Sequence, residues 1–406
     1  MSGNRSLPPV WNKVGRHDVF PEARHDEIAR FNFLTNMNMH LSSVVIPGVR
    51  EAYEQRAEPE FRKQKGRSPE SRQEVRELMS RDSYYQWWSA LRRSTMEMRQ
   101  QAGRSMVLRQ IDSINEKAAK LNDSAETLKL DSSVKVPTYA SAVDIHCMPG
   151  CYHTALSDGD VSAGANYDCG LFVTTAGLLG TYTDGGGKAI AEWLQKDQPN
   201  FKPRRILDIG CTVGHNVLPI AQAFPDAEVI AIDTGEPVLR YGHARAKSLG
   251  VNNVTFMQAN AENLAQFEDG SFDLITTSMF LHETSFKSMP RILAEISRLL
   301  SPGGLSLHLE QPQYTGRPVF EQFMRDWDTF NNNEPFWGTM HDQDLTAMID
   351  ATGLPAAEQF QAGIAASVDE TIFPKVDTQS KTEDFGRAPV WNVFGAWKPV
   401  KEECVA

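Results

Sequence analysis

From Arg204 onward the chain alternates between two periods. "RRILDIG", "AEVIAID", "VTFMQA", "SFDLITTSM" and "LSLHLEQ" are short apolar runs of strand type. Between them, "GHNVLPIAQAFP", "EPVLRYGHARAKSLG" and "SMPRILAEISRLL" repeat apolar residues at helical spacing. The punctuation agrees: Gly250 closes the second of these helices, Pro290 opens the third, and "SPGG" stops it. Strands alternating with helices predict a parallel sheet wound on both faces, and in such sheets ligands sit beyond the carboxyl ends of the strands. That rule selects Gly210–Gly214, Asp233, Asn260–Glu262, Thr277–Glu283 and Glu310–Tyr314.

Upstream the pattern differs. Residues 20–122 are rich in Arg, Glu, Gln, Met and aromatics without strand-like alternation, and they read as helices. Tyr85, Trp88, Leu91, Thr95 and Met98 recur at three- and four-residue steps, the spacing of one helical stripe, which is either core or a substrate-contacting face. "PEFRKQKGRSPESRQ", Pro59 to Gln73, reads as a charged, solvated loop. Val134 to Gly187, rich in Gly, Thr, Asp and Ser, reads as a loop-rich connector or lid.

Composition narrows the classes of function. The chain has 406 residues, 41% of them apolar, enough for two or three domains with a buried core. A formal net charge of −11 argues against a surface that holds nucleic acid or anionic lipid. The first residues lack an apolar core of signal-peptide type, and no apolar run approaches bilayer-spanning length, so no membrane partner is expected and the expected compartment is the cytoplasm. Five scattered cysteines, Cys147, Cys151, Cys169, Cys211 and Cys404, do not form a disulfide framework.

The glycine turn in "RRILDIGCTVGHN" carries the chemistry. A dinucleotide fingerprint starting at Gly210 needs glycine at 212 and 215; Thr212 and His215 stand there instead. Asp233 still ends the second strand, where a carboxylate accepts the hydroxyls of a ribose. Asp208 beside the turn suits a cationic amine and repels phosphate. These residues describe a site for an adenosine without a diphosphate.

With "LDIGCTVG" (207–214), "AIDTGEPVLRYGHARA" (231–246), "QANAENLAQFEDGSFDLITTSMFLHE" (258–283) and "RLLSPGGLSLHLE" (298–310), the stretch from Arg204 to about Gly353 resembles the class I S-adenosylmethionine-dependent methyltransferases, in particular the ubiquinone- and menaquinone-pathway branch. The resemblance implies an α/β fold, a Rossmann-like, doubly wound sheet of seven strands, whose last two strands come from "AAEQFQAG" (356–363) and "VWNVFGAWKP" (390–399). Together with the helical and loop-rich readings upstream, the chain divides into a helical N-terminal domain, 1–125, serving as substrate cover or homodimer interface; a loop-rich connector or lid, 126–200; and an S-adenosylmethionine-binding domain, 201–406, with an insertion near 364–388. By resemblance Asp208 and Gly210 border the methionine part, Asp233 holds the ribose, and Ala261 and Glu262 flank the adenine. Cys211, Thr212, Gly214, Thr234, Asn260, Ser278 and Met279, with Tyr167 from the lid, complete the expected cofactor set. The family commonly has a third glycine where Thr212 stands.

Methyl transfer from a sulfonium needs alignment and exclusion of water, and a base only where the nucleophile carries a proton. "MFLHET" places His282 and Glu283 just past the fourth of these strands, and a histidine titrating near neutrality suits that base or positioning role. Glu310 is a second candidate base or anchor, and His153 a third catalytic candidate. Glu283, Trp327, Asn332, Glu334 and Trp337 are the expected contacts to a small-molecule acceptor. His146, Cys147, Cys151 and His153 are all of metal-ligand type, but their spacing matches no standard zinc motif, so no metal is expected; a lid with Tyr152, His153, Tyr167 and Asp168 facing the cofactor is the favoured reading. The expected function is small-molecule O-methylation; the alternative is a protein that binds S-adenosylmethionine without transferring methyl, as an isomerase, cyclase or sensor.

Overall fold

The computed structural model describes residues 7–123, 125–372 and 390–400. Residues 373–388 of the expected insertion and Cys404 lie outside them. The strands are β1 (Leu128–Lys129), β2 (Arg205–Ile209), β3 (Glu228–Asp233), β4 (Val254–Gln258), β5 (Phe272–Ser278), β6 (Leu300–Leu309), β7 (Gln359–Ala365) and β8 (Val390–Trp397). They form one sheet in the order β1-β4-β3-β2-β5-β6-β8-β7, parallel except for β8, which runs antiparallel to both β6 and β7.

Eight strands replace the expected seven. The addition is β1, two residues of the connector that pair with β4 at Leu128–Phe256 and Lys129–Met257. "SPGG" does not separate helix from strand as expected: β6 already begins at Leu300, and the pairing with β5 jumps from Phe272–Leu300 to Leu274–Leu305. Gly303, at φ +77°, lies in the slipped stretch, which has the character of a bulge.

Both faces of the sheet are covered, which is why its strands read as continuous apolar runs. Ile206, Val229 and Ala231 face a core shared with Leu194, Val217 and Ile220; the alternate residues Leu207, Ile209, Ile230 and Ile232 face one shared with Ile292, Leu293 and Ile296. The helix Glu236–Ser248 ends as expected, with Gly250 at φ +73° and the Val251 N–H donating to the Ala246 carbonyl.

Two readings upstream change. The stretch 59–73 is helical in its first half, within Glu58–Lys65, and its loop begins at Gly66. The connector holds two helices of 13 residues, Ser162–Thr174 and Gly185–Asp197, where a loop-rich lid was expected. The glycines within these two helices serve close packing rather than turns. A Cβ on Gly164 would lie 2.5 Å from the Tyr241 Cβ, and one on Gly187 would lie 2.2 Å from the Asn216 carbonyl oxygen.

The N-terminal helices pack on the sheet domain at two places. Trp11, Phe31, Met106 and Ile114 share a core with Val238 and Tyr241, while Leu41, Val49, Val75 and Trp88 share another with Phe320, Phe323 and Trp327. On the helix Ser83–Leu108, Tyr85, Trp88 and Thr95 are buried as the stripe predicts, but Met98 is 39% exposed. The buried face continues instead through Arg99, Gln100, Ala102, Gly103 and Met106. Among the described residues no helix is long and apolar enough to cross a membrane.

Candidate functional site

A cavity opens at the carboxyl ends of β2, β3, β4 and β5, under the N-terminal helices. Its sheet side begins with the turn after β2. Gly210 has φ +75°, and a Cβ there would lie 2.4 Å from the Phe280 ring. Thr212 is also left-handed at φ +48°, and its N–H donates to Asp233 Oδ2 at 3.0 Å. The Gly235 N–H donates to Asp233 Oδ1 at 2.9 Å, so the carboxylate at the end of β3 is oriented by backbone on both oxygens. Burial nevertheless raises Asp233 to about 6. Asp208 accepts from the Thr276 hydroxyl at 2.7 Å, and burial outweighs that bond, raising its carboxyl to about 7. Ser278 lines the cavity, and its Oγ is buried without a hydrogen-bond partner.

His215, which displaces a dinucleotide glycine, has a structural task. Its Nε2 lies 2.7 Å from Asp168 Oδ1 and 2.9 Å from the Thr183 hydroxyl, and its ring stacks on Tyr167 at 5.6 Å. The glycine turn is thereby tied to the helix Ser162–Thr174. Asp168 itself does not face the cavity as the lid reading expected; it is 3% exposed, inside this packing.

The opposite end of the cavity is a cluster of histidines and carboxylates. Glu283 Oε1 accepts from the Tyr152 hydroxyl and from His146 Nε2, each at 3.1 Å. His146 Nδ1 lies 3.2 Å from Glu334 Oε1. His282 Nδ1 donates to Glu310 Oε1 at 2.7 Å, and its Nε2 lies 3.4 Å from Glu334 Oε2, an ion-pair distance. Burial pushes both histidines down, but the carboxylates outweigh it: Glu334 and Glu283 hold His146 up at about 10, and Glu310, Glu334 and Glu283 hold His282 up at about 9. His282 is therefore an imidazolium at neutral pH, not the base titrating near neutrality that the sequence suggests.

Of the residues selected from sequence, Tyr167, Asp208, Gly210, Cys211, Thr212, Asp233 and Thr234 line the cavity, as do Asn260, Ala261, Ser278, Met279, His282 and Glu283. His153, Asn332, Glu334 and Trp337 line it too, the Trp337 ring lying 4.7 Å from that of His282. Four do not. Gly214 packs under the turn against Phe256 and Leu218. Glu262 turns outward to pair with Arg291. Trp327 is buried behind the wall, its indole N–H donating to Ser89 at 2.8 Å. Glu310 stands behind His282, where it also accepts from the Gln311 N–H at 3.0 Å.

His146 is the residue sequence reasoning missed, having been read only as a metal-type ligand. Its backbone sits at φ +53° and its N–H donates to the Asn332 carbonyl, so a left-handed conformation aims the ring between two carboxylates. Burial pushes the Cys147 and Cys151 thiols up to about 11 and about 12. Among the described residues no group of three or more His, Cys, Asp or Glu is placed to hold a metal ion.

A family model described as a methyltransferase domain matches residues 206–304, the segment from β2 into β6 that supplies the turn, Asp233 and His282. The chain carries a class I S-adenosylmethionine-dependent methyltransferase domain. The domain is similar to demethylmenaquinone methyltransferase of Symbiobacterium thermophilum, with 36% identity over 136 residues, 33% of this chain and 53% of that protein. It is also similar to the ubiquinone/menaquinone biosynthesis C-methyltransferase of Psychromonas ingrahamii, with 31% identity over 134 residues, 32% of this chain and 51% of that protein. The chain spans about half the length of these curated relatives. A solved phosphoethanolamine N-methyltransferase 2 of Haemonchus contortus aligns at 19% identity over 54% of this chain and 58% of that one, with a TM-score of 0.35. The methyltransferase domain thus accounts for the sheet side of the cavity, while Tyr152, Tyr167, His146 and Trp337 lie outside the matched segment.

Proposed function

We propose that this protein methylates a hydroxylated small molecule of phenol or enol type, with S-adenosylmethionine as donor, and that Glu334 accepts the acceptor's proton. The cavity residues fit the donor. Asp233, fixed by two backbone N–H groups, would hold the ribose; Ser278 Oγ, buried and unpartnered, and Asn260 and Ala261 would border the adenosine; Asp208 would meet the cationic methionine part. A carboxyl raised to about 7 by burial is one that a bound cation returns to its charged form. When bound, this donor supplies an electrophilic methyl group on a sulfonium.

The observation that carries the acceptor chemistry is the state of Glu334. Its Oε2 is buried without a hydrogen-bond partner, 2% of the residue is exposed, and it lines the cavity. His282 is held protonated beside it and acts as a positioning residue, stabilising the carboxylate and any negative charge that develops on the acceptor oxygen. Glu310 fixes the ring from behind. Trp337, Phe280 and the N-terminal helices exclude water, so those helices serve as a cover over the acceptor; their use as a homodimer interface belongs to the same proposal.

Loss of an O–H proton is the first step whether oxygen or the adjacent ring carbon takes the methyl, and we favour oxygen. The names of the quinone-pathway relatives favour carbon as the second reading. The non-transferring alternative has no such support. Incubation with methyl-labelled S-adenosylmethionine and a set of phenols and enols, read by mass spectrometry, tests the proposal. Label on oxygen supports the favoured reading and label on carbon the second. Glu334→Gln should lower kcat about 10²- to 10³-fold with S-adenosylhomocysteine affinity unchanged. A variant that turns over normally would remove Glu334 from the chemistry.

A further inference from the structure

A charged group in the cavity wall has no ion-pair partner among the described residues. Arg99, on the helix Ser83–Leu108, is 6% exposed and lines the cavity, and its Nη1 is buried without a hydrogen-bond partner. Neighbouring arginines are satisfied: Arg92 meets Asp328 at 3.4 Å, Arg93 pairs with Glu97 at 2.7 Å, and Arg109 pairs with Glu27 at 2.8 Å. Among the described residues no carboxylate lies within ion-pair distance of Arg99. The groups acting on it most strongly besides burial are Cys169, Tyr167, Tyr152 and Cys147, thiols and phenols that burial keeps neutral. Glycine at 170 makes the room: a Cβ there would lie 2.6 Å from Nη1.

A guanidinium does not shed its proton, and a buried unpaired charge costs several kcal/mol. Such a residue is explicable when an anion from outside the chain meets it. Arg99 does not belong to the turns at the strand ends that face the adenosine. It shares its helix face with Trp88 and Met96, apolar lining on the cover side. Resting on the methyl-transfer reading above, we infer that Arg99 binds the single negative charge of the acceptor, an ionised carboxylate on an apolar or aromatic body. The acceptor is then a hydroxy acid, its carboxylate on Arg99 and its hydroxyl at Glu334. One guanidinium balances one charge, which selects a monoanion over a phosphate.

The same chemistry could come from the donor's own methionine carboxylate, and the test separates the two. Calorimetry on the full chain would titrate S-adenosylhomocysteine first. Into the loaded protein it would then titrate benzoate, 2-naphthoate and octanoate, each beside its neutral amide, for the native protein, Arg99→Met and Arg99→Lys. We expect at least one acid to bind the native protein about tenfold or more tighter than its amide, Arg99→Met to erase that preference, and Arg99→Lys to retain part of it. S-adenosylhomocysteine affinity should stay within about twofold, and Arg99→Met should melt no lower than the native protein, because an unpaired buried charge is removed. Absence of any acid preference in the native protein, or its survival in Arg99→Met, overturns the inference. So does a tenfold loss of S-adenosylhomocysteine affinity in Arg99→Met, which would assign the arginine to the donor. Failure of the native protein to bind S-adenosylhomocysteine would count against the donor reading alone, and the acid and amide titrations would then be read on the unloaded chain.

Discussion

Two buried clusters of histidine and carboxylate stand on either side of the glycine turn, and they hold their histidines in opposite charge states. In the first, Asp168 is shared: His17 Nε2 and the Tyr241 hydroxyl lie 2.9 Å from Oδ2, His215 Nε2 lies 2.7 Å from Oδ1, and Arg245 Nε is 3.7 Å from Oδ2. Burial lowers His17 and His215 despite their bonds to the carboxylate, while those bonds and Arg245 keep Asp168 well below the usual carboxylate range against its own burial. In the second, Glu283, Glu310 and Glu334 surround His146 and His282, and among the described residues the ion pairs of these three glutamates are with the histidines. His282, Glu310 and Glu334 are as deeply buried as Asp168 and His215, so burial does not decide the outcome. The count of carboxylates against permanent cations does: Arg245 already balances Asp168, whereas the three glutamates take their balance from the histidines.

The largest break of this comparison is Asp168→Ala. It strands the Arg245 guanidinium, 2% exposed, and removes the acceptor shared by two histidines and a tyrosine. A loss of about 3–5 kcal/mol in urea-unfolding free energy is expected. A loss below about 1 kcal/mol would mean that water replaces the carboxylate and that the cluster is not the closed unit described.

The pH dependence of stability sharpens the contrast. His146 and His282 bind protons more tightly folded than unfolded, so their contribution is fully present below pH 6.5 and is lost as pH rises through about 9 and about 10. His17 and His215 bind protons less tightly when folded, so stability falls as pH drops below 6.5. Melting temperatures between pH 5 and 10.5 should decline at both ends. Glu310→Gln removes one of the three charges and should flatten the alkaline limb only; an unchanged alkaline limb would detach the second cluster from the charge argument.

How far this was legible in the sequence follows from what each feature depends on. The turn at Gly210, Asp233 at the end of β3 and the alternation of strands and helices in the methyltransferase domain rest on local period and punctuation, and the chain displays both. The helix Ser162–Thr174 was hidden because its glycines and alanines mimic a loop; a Cβ at 170 meeting Arg99 and one at 164 meeting Tyr241 are long-range facts. The two-residue β1 is too short to show a period. The second cluster draws on residues 146, 283, 310 and 334, so His282 could be picked as chemistry-bearing while its charge state could not. Thr212 and His215 marked the site as unlike a dinucleotide fold, but His215's task depends on Asp168, far from it in sequence.

The finest test is Tyr241→Phe, which leaves the shape of the first cluster nearly unchanged and removes one donor. Gly164 packs against the Tyr241 Cβ and ring, contacts a phenylalanine keeps, so no cavity opens beyond the volume of the hydroxyl. What is lost is an O–H donated at 2.9 Å to a buried carboxylate. His17 still donates to the same oxygen and Arg245 still balances the charge, so Asp168 is not orphaned as an unpaired ion would be. The expected cost is about 1.5–2 kcal/mol, at the lower end for a bond to a charged group, and the His17 and His215 resonances should titrate slightly higher, because the carboxylate they share is less satisfied. A cost as large as that of Asp168→Ala would make the hydroxyl, rather than the arginine, the group that keeps these histidines neutral.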